Sequence, residues 1–284
     1  MNDATHEFLA ILIDVNPLEW KEMKDIKFDG FMNHLFLYLK QMILSDCILP
    51  PCVLAYNQSH AEFIFPEPGR TKDVINQKFN PTNQEQIKNY FENIIIQIAE
   101  FNGRSASIPP TPHVRLDVAL SKSLCLMNNL PNKNIKKRIL AFSVSPETGS
   151  QYDNLLFAAK RLDVVIDVLF LNSNRLCFLS QAADLTHGFS KTIKMGAALA
   201  QYLFSLPPTT VRDLMALPAP EPLEYSAPSA DTHKMISRGY ICPVCLSILE
   251  EACRTCPICN TRYGSVNFYI NQTEFKSEEL KNLL

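Results

Sequence analysis

"FLAILIDVN", residues 8 to 16, is a near-continuous apolar run that closes on an aspartate. Such a run reads as a strand buried on both faces, the kind found inside a parallel sheet. The segments that follow alternate between two periods. "DGFMNHLFLYLKQMIL" (29 to 44) carries Phe31, Leu35, Leu39 and Met42 at helical spacing. "CVLAYNQ" and "AEFIFP" then read as two strands close together, a hairpin or a sheet edge. Residues 84 to 101 and 114 to 130 are helical in pattern, the second with Leu116, Leu120, Leu124 and Met127 on one face. Next come strand "RILAFSV", helix "NLLFAAKRL", strand "VVIDVLFL", helix "RLCFLSQAADLTHG", the short strand "FSKTI" and helix "GAALAQYLFSL". Strands alternating with helices at this spacing give an α/β fold for residues 1 to 206, a mostly parallel sheet flanked by helices.

The chain has 284 residues, 46% hydrophobic and 20% charged, enough for one large domain and a small module. A formal charge of −2 argues against a nucleic-acid binder that works by bulk electrostatics. No apolar run approaches the roughly 18 residues of a membrane span. The first residues, "MNDATHEF", carry acids where a secretory or mitochondrial leader carries basic residues, so a cytosolic or nuclear setting is expected. Phosphate-cradling loops need clustered glycines, and the eight glycines here are dispersed. There is no G-x-G-x-x-G, no P-loop and no G-x-S-x-G elbow, and the six histidines are scattered. Glu147 and Asp153 are the carboxylates that could face one another across the strand ends, although surface or capping roles are commoner for such residues.

"CPVCLSILEEACRTCPIC", residues 242 to 259, holds five of the nine cysteines. Cys242 with Cys245, and Cys256 with Cys259, form two C-x-x-C turns, with Pro243 and Pro257 at the same place in each. In a reducing compartment this spacing points to metal rather than disulfides. Four thiolates around one ion favour zinc, with iron the poorer alternative, and four protein ligands make the site structural. Cys253 reads as a spare thiol. A two-ion RING needs eight ligands, and five cysteines with His233 fall short. Lys234, Arg238, Arg254 and Arg262 offset the surplus negative charge, or form a basic patch. Six of the 19 prolines lie between Pro207 and Asp231, so residues 207 to 235 are expected as a linker and 236 to 284 as the zinc module and tail. Within that tail "VNFYI" (266 to 270) reads as a strand and "SEELKNLL" as a short amphipathic helix.

The loop after the first strand, Asp14-Val15-Asn16-Pro17-Leu18, resembles the D-x-S-x-S magnesium loop of von Willebrand factor A domains. That resemblance implies the same fold. It does not imply the ion: Asp14 is kept and Asn16 offers a carbonyl, but Leu18 has no oxygen. The positions for the family's threonine fall at Val114 to Leu116, and Ser145 stands where its second aspartate would be. No magnesium site is expected. The fuller pattern D-x-N-P-x-x-W, with "RILAFSVSPETGSQYDNLLFAAKRLDVVIDVLFL", "QAADLTHGF", "LAQYLFSLPP" and above all "RGYICPVCLSIL", resembles the 34-kilodalton-class subunit family of the general transcription and DNA-repair factor TFIIH. This resemblance covers nearly the whole chain. It implies a nuclear, non-catalytic core subunit acting in RNA polymerase II initiation and nucleotide excision repair. Its A-like domain would dock the zinc-containing sister subunit that regulates the repair helicase. DNA contact would be weak or indirect, with no membrane and no small-molecule substrate. The alternatives are a metal-dependent protein-binding A domain working through Asp14, and a nucleic-acid-contacting zinc module working through Arg238, Arg254 and Arg262.

Overall fold

The computed structural model describes residues 7–45, 48–66, 83–111, 114–130, 135–146, 153–172, 177–215, 218–219, 227–232, 234–245 and 247–263. The strand and helix expected in the tail, and Glu147, lie outside the described residues, as does the side chain of Asp153. The chain divides into two compact units, Met1–Glu224 and Tyr225–Leu284.

The first unit is built on a six-stranded sheet: β1 (Glu7–Asp14), β2 (Cys52–Tyr56), β3 (Ala61–Phe65), β4 (Lys136–Ser143), β5 (Val164–Phe170) and β6 (Ser190–Thr192), in the order β3-β2-β1-β4-β5-β6. Every pairing is parallel except β2 with β3, the expected hairpin at one edge. β1 is central, and all eight of its residues are buried. Its alternate side chains serve two cores. Leu9, Ile11 and Ile13 pack with helices α2 (Phe28–Leu44), α3 (Gln84–Ser105) and α7 (Ala198–Phe204). Phe8, Ala10 and Leu12 pack with α4 (Leu116–Asn128), α5 (Asp153–Arg161) and α6 (Cys177–Leu185). This two-sided burial is why the first strand reads as an unbroken apolar run.

The helices bury the stripes their periodicity defines. α2 buries Phe31, Leu35, Leu39 and Met42, and α4 buries Leu116, Leu120, Leu124 and Met127. One element has no periodicity to read: α1 (Pro17–Glu22), six residues long. Its signal is local. Asn16 caps it by accepting the amide of Leu18, and Pro17 takes a first-turn position, where its missing N–H costs nothing. Gly188 marks a second local constraint. A Cβ there would lie 1.8 Å from the carbonyl oxygen of Ile166, so only glycine lets the chain re-enter the sheet as β6.

Sequence reading missed a charged cluster buried at the N-terminal end of the strands. Arg138 is wholly buried. It donates from Nε to Asp167 at 2.6 Å and from Nη1 to the Tyr38 hydroxyl at 3.2 Å, and lies 3.5 Å from Glu7. Arg212 donates to both oxygens of Asp167, through Nη1 at 2.9 Å and through Nη2. Glu7 in turn accepts the amide of Thr209 at 2.6 Å. Two arginines and two carboxylates balance, as groups buried together must. Burial pushes the Asp167 carboxyl up, but Arg138 and Arg212 outweigh it and hold the group below the usual carboxylate range. Thr209 and Arg212 belong to a 3-10 turn, Thr209–Leu214, which comes from the start of the stretch expected as a linker. The first unit therefore takes in these residues.

The second unit carries two short antiparallel ladders, β7 (Ala227–Pro228) with β8 (Met235–Ile236) and β9 (Tyr240–Ile241) with β10 (Ile248–Leu249). Among its described residues the fully buried core is small: Cys242, Leu249 and Cys256. Among the described residues no helix is long and apolar enough to cross a membrane.

A four-cysteine centre and a closed strand-end loop

The two C-x-x-C turns come together. The sulfurs of Cys242, Cys245, Cys256 and Cys259 all lie within 4.8 Å of one another. Cys242 to Cys259 and Cys245 to Cys256 are each 3.7 Å. A zinc–sulfur bond of about 2.3 Å gives a tetrahedral edge of about 3.8 Å, whereas a disulfide requires about 2.05 Å. The geometry fits a tetrahedral dication and excludes cross-links. Cys253 stands outside the four and packs, half-buried, against their core.

The turns are also copies of each other at a spacing of fourteen residues, a repeat the cysteine pattern only hints at. Cys242 N–H donates to the Ser247 carbonyl at 3.0 Å, and Cys256 N–H to the Thr261 carbonyl at 2.9 Å. The Ser247 hydroxyl lies 3.0 Å from the Cys245 sulfur, and the Thr261 hydroxyl 3.1 Å from the Cys259 sulfur. Ile241 pairs with Ile248, and Thr255 with Arg262. Within each turn the second cysteine's amide hydrogen-bonds the first cysteine's sulfur. This draws the Cys242 thiol down to about 6 and lowers that of Cys256 as well. Hydrogen bonds that favour thiolate favour a metal ligand. Ser247 and Thr261 are the residues the sequence reading overlooked. Their signal is a hydroxyl two places after each second cysteine.

At the C-terminal ends of the strands, Asp14, Asn16 and Ser145 do meet, and they bond to one another. Asp14 Oδ1 accepts the amide of Asn16 at 3.1 Å, and Oδ2 accepts those of Val144 at 3.1 Å and Ser145 at 2.8 Å. Asn16 Nδ2 donates to Ser145 Oγ at 3.1 Å, while its Oδ1 faces the amide of Leu18. Trp20 Nε1 closes the loop by donating to the Asp14 carbonyl at 2.7 Å. Burial raises the Asp14 carboxyl above its usual range, partly offset by the bonds from Ser145, Asn16 and Val144. One buried carboxylate, an amide turned to its own helix and a leucine in place of a hydroxyl do not fit magnesium, which asks for several oxygen ligands and usually more than one charge.

The sheet order, its antiparallel edge and this loop define a von Willebrand factor A-like α/β unit, followed by a four-cysteine module. The family described as "Transcription factor Tfb4" matches residues 6–260, and the chain belongs to that family. It is 29% identical over 268 residues to the Arabidopsis thaliana general transcription and DNA repair factor IIH subunit TFB4, covering 90% of this chain and 88% of that one. It is 25% identical to the Schizosaccharomyces pombe subunit tfb4, covering 91% and 89%. Among solved structures it resembles the TFIIH p34 N-terminal domain, with a TM-score of 0.59 at 20% identity, over 72% of this chain and 98% of that chain.

Proposed function

We propose that this chain is the Tfb4-type subunit of general transcription and DNA repair factor IIH. It works there in the nucleus as a non-catalytic scaffold that docks the zinc-containing sister subunit regulating the repair helicase. The observation that carries the non-catalytic part is the closed Asp14 loop. At the strand ends, where this fold places its chemistry, the only buried carboxylate among the described residues is committed to three backbone amides. In this reading the four cysteines hold one structural zinc through Cys242, Cys245, Cys256 and Cys259, with no coordination position left for a reaction. Membership of the Tfb4 family and relatives named as factor IIH subunits support the assembly role.

The test is reconstitution with the sister subunit. The intact chain retains it on a column with or without Mg²⁺, and Cys242→Ser lowers bound zinc from one equivalent toward none. Failure to retain the sister subunit, or Mg²⁺-dependent retention, contradicts the proposal.

A further inference from the structure

At the N-terminal end of the strands, opposite the Asp14 loop, three features converge. The 3-10 turn Thr209–Leu214 is held by the buried cluster through Arg212 and Thr209. Just past that anchor the chain projects Leu214, which at 85% exposure is the most exposed large apolar residue described, and the half-exposed Met215. Beside them lies an open groove of about 470 Å³, with Val165 and Met215 as its apolar wall and Lys136, Lys137 and His187 around it. Lys136 lies 4.0 Å from Asp163, and Lys137 donates to the Leu162 carbonyl at 3.4 Å, so both ammonium groups are held at the groove. Among the described residues that line it, Asp163 is the one acid.

We infer that this groove and the Leu214–Met215 tip form a docking site for an acidic, leucine-bearing segment of a partner protein. The apolar tip and wall take the leucines, and Lys136 and Lys137 take the carboxylates. Met215 and Val165 line one groove next to the exposed Leu214, so a partner that covers them buries apolar surface, and the anchoring of the turn by Arg212 and Thr209 lowers the ordering cost of binding. The lysines select for negative charge. A nucleic-acid backbone needs an extended basic track, which one groove on a chain of net charge −2 does not supply. The site is separate from the strand-end loop and requires no metal.

The experiment follows the methyl resonances of Leu214, Met215 and Val165 in the zinc-loaded full chain by NMR. The probes are the peptide acetyl-ELEELE-amide, its lysine counterpart acetyl-KLKKLK-amide, and a twelve-base-pair DNA duplex. The acidic peptide produces saturable shifts in these methyls. They weaken about tenfold in Leu214→Asp and in the Lys136→Glu/Lys137→Glu double variant, both surface changes whose folding is checked by an unaltered spectrum elsewhere. The proposal is overturned if the acidic peptide gives no saturable shift, if the basic peptide gives the same one, if the variants bind unchanged, or if only the duplex perturbs these methyls.

Discussion

Asp14 shows how a strand-end carboxylate can be held entirely by the chain's own groups. Its carboxylate stands at the end of a central strand with no exposure, and three amides from two loops converge on it. Removing it leaves those amides buried without an acceptor, at about 1–3 kcal/mol each. Asp14→Ala is therefore expected to lose at least about 3 kcal/mol of stability in urea melts. Millimolar Mg²⁺ is expected to leave the melting temperature of the unmodified chain where it was, since a ligand stabilises only what it binds. A melting temperature that climbs with Mg²⁺ and stops climbing in Asp14→Ala would show that the loop still takes the ion. The sequence displayed Asp14, Asn16, Leu18 and Ser145 in full, and the failed match to a magnesium loop was legible from them. What it did not display is that the leftover groups bond to one another, because that depends on β1 and β4 lying side by side.

At the scale of elements, strands and long helices were readable because burial imposes a period on them. The alternation of cores along β1 and the stripes on α2 and α4 are direct consequences of that burial. Elements fixed by a few polar contacts were not readable. α1 is too short for a period. The turn Thr209–Leu214 is held from another part of the chain, by a charge in the middle of β5 and another at the start of β1. The available signal was an arginine in "RILAFSV" and an aspartate in "VVIDVLFL", charges in strands that should carry none. This cluster makes a pH-dependent contribution whose sign is fixed. The Asp167 carboxyl is held below its unfolded value, so its stabilisation is present above about pH 4. That stabilisation fades as pH falls through the native value. Asp167→Asn leaves two buried arginines facing one carboxylate and is expected to cost about 3–5 kcal/mol at neutral pH. The gap between the two proteins, measured by denaturant melts from pH 7 down to pH 2, should narrow on the acid side. A gap that stays constant over that range would mean that folding does not shift the Asp167 carboxyl from its unfolded value.

For the whole molecule, the two units differ in what holds them together. The first has two extensive apolar cores on the faces of one sheet. Among its described residues the second has three fully buried core residues, two of them the clustered cysteines Cys242 and Cys256. A core that small cannot offset the entropy of ordering its chain. A structural zinc supplies on the order of 10 kcal/mol, which can. Stability in the second unit should thus be set by the ion and in the first by packing. Scanning calorimetry of the intact chain is expected to show two transitions, and a strong zinc chelator to abolish one of them while leaving the other within about 2 °C of its original temperature. Cys256→Ser should reproduce the chelated trace without chelator, because three sulfurs cannot complete the tetrahedron that the 3.7 Å separations describe. A single transition that shifts as a whole on chelation would instead make the zinc part of one cooperative fold.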